Sequence, residues 1–162
     1  MKKLTYLTAV GLLISSFGFA QAANIVETAE KAGKFNTLLA AAKAAGLAGT
    51  LAEGKNLTVF APTDEAFSAL PEGTVENLLK PENKDQLVAI LTYHVLPRKL
   101  SSNQLPGRTI HVKTVKSSGD KMLSVQKSAS GVMVDQSNVV SADIKASNGI
   151  IHVIDKVLLP EK

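Results

Sequence analysis

The chain holds three histidines, His94, His111 and His152, and Tyr93 sits directly before the first of them. Imidazole can ligate a metal or move a proton near neutral pH. A metal centre built on one element would show a spacing such as His-x3-His or His-Glu-x-x-His, and neither occurs. The three histidines fall on different expected elements, which points to a structural role for each. Asp64 and Asp155 could form an acid pair. Asp64, however, opens a helix and Asp155 follows a strand end, with no positioned nucleophile beside either. No catalytic, cofactor or metal set emerges, and an enzyme is not expected.

The elements that carry these residues divide the chain into a helical half and a strand half. Asn24 caps a short helix that Gly33 ends. Phe35, Leu38, Leu39 and Ala42 follow the i, i+3, i+4, i+7 spacing of an amphipathic helix, and a further turn covers Leu47 to Leu51. Leu57 to Phe60 reads as a buried strand. Thr63 then caps a short helix with Asp64 and Glu65 in its first turn, where the helix dipole favours negative charge. Another short helix is expected over 74–79. Asn83 caps a longer helix that places Leu87, Ile90, Leu91, His94 and Val95 on one face, with Pro97 beyond its end.

From residue 108 the period becomes two. Ile110/Val112, Leu123/Val125, Val132/Val134 and Val140/Ala142/Ile144 alternate with polar neighbours, and 128–131 reads as a hairpin loop. Asn148-Gly149 is a tight-turn pair, and 150–154 reads as a strand buried on both faces. Helices followed by strands imply an α+β domain with an antiparallel sheet or sandwich. The Ser- and Lys-rich stretch 113–130, with a turn at Gly119-Asp120, reads as a solvated rim.

The N-terminus reads as a cleaved signal peptide over 1–22: Met1-Lys2-Lys3, an uncharged apolar run over 7–19, and the Ala20-Gln21-Ala22 cleavage site. The run is shorter than the roughly 20 residues of a membrane span. Residues 23–162 are then one domain, periplasmic or secreted, without a transmembrane segment after cleavage. It has no cysteine, so packing and hydrogen bonds carry its stability. Without Lys2 and Lys3 the 18 basic side chains fall to 16 against 14 acidic ones, a net of +2. With Trp absent and no basic cluster interleaved with aromatics, nucleic-acid binding is not expected.

Three stretches, TVFAPTDEAFSAL at 58–70, LTYHVLP at 91–97 and NGIIHVIDKVLLP at 148–160, resemble in order and separation the conserved segments of a fasciclin domain. The resemblance implies a wedge-shaped β-sandwich with several helices in the N-terminal half. It also implies an extracytoplasmic, non-catalytic adhesion or binding module, of the small bacterial single-domain type. The partner would be a surface or matrix protein, a polysaccharide, or a second copy of the chain. A periplasmic small-ligand binder, or an accessory protein of an envelope complex, is the alternative, and it predicts an apolar pocket. In animal matrix members the segments corresponding to Tyr93-His94 and to Asn83-Lys84-Asp85 are associated with integrin binding. Those five residues are the partner-binding candidates, although Gln86 replaces the Ile of the animal Asn-Lys-Asp-Ile-Leu pattern. Local chemistry gives each of them a structural role as well, in capping, dipole pairing or packing.

Overall fold

The computed structural model describes residues 22–116, 119 and 122–159. Residues 1–21 of the expected leader over 1–22 and Asp120 of the expected turn lie outside the described residues.

The N-terminal half is helical for local reasons. Helix α1 (Ile25–Ala32) starts at a reciprocal capping box between Asn24 and Glu27 and stops at Gly33, whose φ of 67° suits glycine. Helix α2 (Asn36–Ala45) ends the same way at Gly46, and α3 (Ala48–Glu53) follows. Strand β1 (Leu57–Pro62) leads through the Thr63 cap into α4 (Asp64–Ser68), and α5 (Thr74–Leu79) comes next. Helix α6 (Lys84–Tyr93) is entered from a 3-10 turn over Pro81–Asn83. That turn changes the expected role of Asn83. Its side chain makes no cap bond to α6, and Nδ2 instead donates to Asn77 O at 2.7 Å.

The remaining strands are β2 (Val95–Leu96), β3 (Ile110–Lys113), β4 (Met122–Ser128), β5 (Gly131–Val134), β6 (Ser137–Ala146) and β7 (Gly149–Ile154). They form one seven-stranded sheet in the order β2-β1-β7-β6-β5-β4-β3. The α+β class and the helical N-terminal half are as expected. The sheet is a near-barrel more than a clear sandwich, because a single ladder runs through every strand and the backbone N–H of Val115, just past β3, donates to Val95 O of β2 at 2.9 Å. Nor is the sheet purely antiparallel, since β1 pairs with β7 in parallel from Leu57↔Gly149 to Pro62↔Ile154.

Strand β6 makes the bend. Its ten residues pair with β5 at one end and β7 at the other, with register shifts between Val139 and Ser141 and between Ser141 and Ile144. Each shift reverses which face a side chain meets. The expected alternation of Val140, Ala142 and Ile144 therefore breaks, and Val140 is left 63% exposed. Ile144 packs on the cluster between helices and sheet (Ile25, Phe35, Leu38, Leu91, Ile151), whereas Val139 packs on a second cluster inside the curved sheet (Phe60, Leu96, Leu123, Val125, Ile154). Strands β1 and β7 feed both clusters with alternate side chains, which is why each is buried on both faces.

The β6–β7 hairpin is closed by Ser147 and Asn148, because Gly149 already pairs with Ala146. The Asn148 carboxamide ties three elements together. Oδ1 accepts from Ile25 N at 2.9 Å, and Nδ2 donates to Leu51 O at 2.7 Å and Gly54 O at 2.8 Å. Gly149 is required by space: a Cβ there would lie 2.1 Å from Leu57 O. Replacing Gly149 by Ala is expected to cost about 3 kcal/mol or more by forcing β1 from β7. N148A is expected to cost about 2 kcal/mol through stranded carbonyls. Urea denaturation checks both, and a wild-type midpoint for G149A would refute the close-approach argument.

Candidate functional site

The five candidate residues lie at opposite ends of α6. Asn83 is half-buried and Lys84 and Asp85 are exposed at its start, while Tyr93 and His94 are only 3% and 2% exposed at its end. A ten-residue helix is about 15 Å long, so the two groups do not form one site.

His94 sits where α6 passes into β2, and both of its ring nitrogens are committed. Nδ1 lies 2.7 Å from Ile90 O, and Nε2 accepts from the backbone N–H of Leu158 at 3.0 Å. An acceptor at Nε2 requires the proton on Nδ1, so the ring is neutral and donates to Ile90. Burial drives the pKa down from 6.5 to about 4, against the smaller raising effect of the Ile90 carbonyl. The ring thus ties the last turn of α6 to the C-terminal segment.

Tyr93 points its hydroxyl at the β5–β6 turn. The oxygen lies 3.0 Å from both Met122 O and Asp135 Oδ2. Asp135 has a φ of 50°, and its Oδ1 accepts from Ser124 N at 2.9 Å. The Lys116 ammonium stands 5.7 Å from the Tyr93 ring centroid, within cation–π range.

The other acid and imidazole groups are also engaged. Asp64 lies in the first turn of α4 and reaches across to the start of α2, accepting from Thr37 N at 2.7 Å and Asn36 Nδ2 at 3.1 Å. Burial pushes its carboxyl up, but the hydrogen bonds from Thr37 and Asn36 outweigh that and hold it below the usual carboxylate range. Asp155 accepts from Asn138 N at 2.8 Å and stitches β6 to the end of β7. His111 is exposed.

One constellation carries no signal in the sequence. Ser102, His152 and Asp143 converge, the three residue types of a nucleophilic triad, but their wiring is wrong for that chemistry. Ser102 Oγ donates to Asp143 Oδ2, not to the histidine. His152 Nδ1 accepts from Asp143 N at 3.2 Å, and Nε2 lies 2.7 Å from Leu100 O, so no ring nitrogen is left to take a serine proton. The ring stacks on Phe60 at a centroid distance of 5.5 Å. Asp143, at φ 58°, occupies the β6 irregularity, and its Oδ1 also accepts from Ser102 N at 2.8 Å. Burial raises its carboxyl, and the two bonds from Ser102 more than offset this, leaving it below the usual range. The group anchors the 98–105 segment to the bulged strand. Among the described residues no three His, Cys, Asp or Glu side chains are placed to hold a metal ion.

The helix-decorated near-barrel and its internally spent polar groups define a structural class of domain. The chain belongs to the fasciclin-domain family, whose model matches residues 33–160. Protein sll1483 of Synechocystis is 46% identical over 153 residues, covering 94% of this chain and 82% of that one. Transforming growth factor-beta-induced protein ig-h3 of Sus scrofa is 43% identical over 127 residues, covering 78% of this chain but 18% of that much longer protein. Immunogenic protein MPB70 of Mycobacterium bovis is 33% identical over 114 residues, covering 70% of this chain and 54% of that one. The fold is that of the FAS1 domain pair of the insect cell adhesion molecule fasciclin I, with a TM-score of 0.52 at 19% identity over 79% of this chain and 45% of that one.

The depressed His94 pKa fixes a pH dependence. The unfolded chain takes up this proton near pH 6.5 and the folded chain only near 4. The stabilisation is complete above 6.5 and declines as pH falls to 4, by up to roughly 3 kcal/mol. H94Q is expected to be less stable at pH 7 and to show a flatter stability profile between pH 6.5 and 4. Chemical denaturation at each pH checks this, and parallel profiles for the two proteins would exclude the buried-neutral assignment.

Proposed function

We propose that this chain is a non-catalytic, extracytoplasmic binding module that holds a partner through exposed surface on a rigid near-barrel. The observation that carries the reading is the use of the reactive side chains. Tyr93, His94, Asp64, Asp135, Asp143 and His152 all spend their polar atoms within the fold. Groups so committed are poor catalysts and good struts. Relationship to a cell adhesion molecule of the same fold supports the same reading. Under it, residues 1–22 are an export leader and 23–162 the working domain, in the periplasm or beyond. Among the described residues no helix is long and apolar enough to cross a membrane. The partner is a surface or matrix protein, a polysaccharide or another copy of the chain.

The five candidates then take different parts. Lys84 and Asp85 are exposed and able to touch a partner directly. Asn83 shapes the turn that presents them. Tyr93 and His94 act on binding only by maintaining the fold. The K84A/D85A double variant is expected to lose at least half of the partner captured from envelope extract or a glycan panel, with an unchanged melting temperature. H94A is expected to melt lower by an amount worth about 3 kcal/mol. Full capture by K84A/D85A, or lost capture by H94A without lost stability, would overturn this division of roles.

A further inference from the structure

Beneath the N-terminal helices lies a cavity of about 80 Å³. Its walls are the inward faces of α1, α2, α3 and α6 and of β1 and β7, with Ile25, Leu38, Ala42, Val59, Leu91 and Ile151 among the lining residues. The lining surface is almost entirely carbon. Three polar side chains are in the lining: Thr50 is exposed to solvent on α3, and Thr92 and His94 are already satisfied. Thr92 Oγ1 donates to Val88 O at 2.7 Å, and His94 is held at both ring nitrogens. A cavity whose wall is almost entirely carbon stays dry and accepts apolar atoms. Its volume is about half of the ~150 Å³ that admits a benzene ring, so a narrow chain fits where a ring does not.

The surroundings of the cavity say where such a chain would leave it. Val26, Leu47 and Leu51 in the lining are half-buried, and Val115 is 42% exposed, so apolar surface continues outward. Leu39 is shared with a shallower groove lined by Glu30, Asn36, Ala40 and Lys43. The Lys43 side chain there is 64% exposed and its ammonium lies 3.5 Å from Glu30, a pairing weak enough for another anion to replace.

We propose that this cavity takes the tip of a straight aliphatic chain whose anionic head rests outside against Lys43. The ligand class is an anionic single-chain amphiphile, or the tail of an anionic lipid that presents the same chemistry. Binding of this kind is independent of the partner contacts at Lys84 and Asp85.

The test titrates the purified protein with the linear carboxylates from hexanoate to dodecanoate, and with the matching uncharged alkanols, by calorimetry and by melting temperature. Affinity is expected to rise about fourfold per methylene until the cavity is filled, and then to level off. A42L and A48L, which fill the cavity from two different helices, are expected to fold and to lose this length dependence. Ala48 is half-buried on the short α3, so A48L remains a valid test if α2 rejects the larger side chain. K43E is expected to weaken carboxylate binding about two- to fivefold and leave alkanol binding unchanged. Vesicles of phosphatidylglycerol, with phosphatidylcholine as control, separate the two sources. Cosedimentation with the former that A48L abolishes assigns a lipid tail, and binding of free carboxylates alone assigns the soluble amphiphile. Affinity flat with chain length, equal binding by both filled variants, or indifference of carboxylate binding to K43E would overturn the proposal.

Discussion

The structure depends on how closely β1 can approach β7. Leu57 O sits where a side chain on residue 149 would begin, so the parallel pair forms only because that residue is glycine. The pair lies inside the sheet, with β2 on one side and β6 on the other. It also joins the end of the helical half to the last strand of the chain. Asn148, one residue earlier, adds the helices to the same point by holding the N-terminus of α1 and the carbonyls that end α3. Its backbone carbonyl accepts from Leu57 N at 3.2 Å. A few atoms thus set the register of β1, the entry of α1 and the exit of α3. These contacts span about the whole domain in sequence, and their loop-closure cost is offset only by cooperative packing.

The polar interior follows from that geometry. A sheet that curves through β6 cannot keep a regular ladder, and each irregularity frees backbone groups that must be satisfied. Asp143 at the bulge, Asp135 at the β5–β6 turn and Asp155 at the end of β7 supply acceptors there. His94 and His152 each bridge backbone groups from separate segments. Buried polar groups with every partner in place rigidify a fold more than they add net stability. The residue types that suggested chemistry are therefore the ones closing a near-barrel that has no disulfide to help it.

What was legible in the chain was local. The Asn24 and Thr63 caps, the Gly33 stop, the Leu87, Ile90 and Leu91 face of α6 (Val95, expected on it, lies in β2) and the doubly buried β7 all rest on contacts within a turn or on simple periodicity. The stretches that resemble a fasciclin domain carried the fold class. Interactions across long separations left no local mark. Asp64 reads as a first-turn acid and is one, yet its carboxylate does its bonding 27 residues back, at Thr37. Asn83 reads as a cap, but the 3-10 turn opened by Pro81 redirects its side chain to Asn77. The β6 bulges escape because a strand with two register shifts still alternates on paper. The Ser102–Asp143–His152 group escapes because its members are up to 50 residues apart by sequence number and none sits in a motif.

The cavity follows from the same construction. Helix α1 packs on β7, and α2 packs on α1, α3, α4 and α6, through buried alanines at 29, 41, 42 and 45. Small side chains permit close packing of the helices but leave unfilled the space that α3 helps to wall. An empty apolar void costs free energy in proportion to its volume. A larger residue at position 42 or 48 would remove that cost, and aliphatic side chains of suitable size abound elsewhere in this core. Asn148 meanwhile holds the C-terminal end of α3 while Gly46, at φ 75°, forms the bend before it. The void is thus walled on one side by a six-residue helix whose two ends are set by Asn148 and by the Gly46 turn.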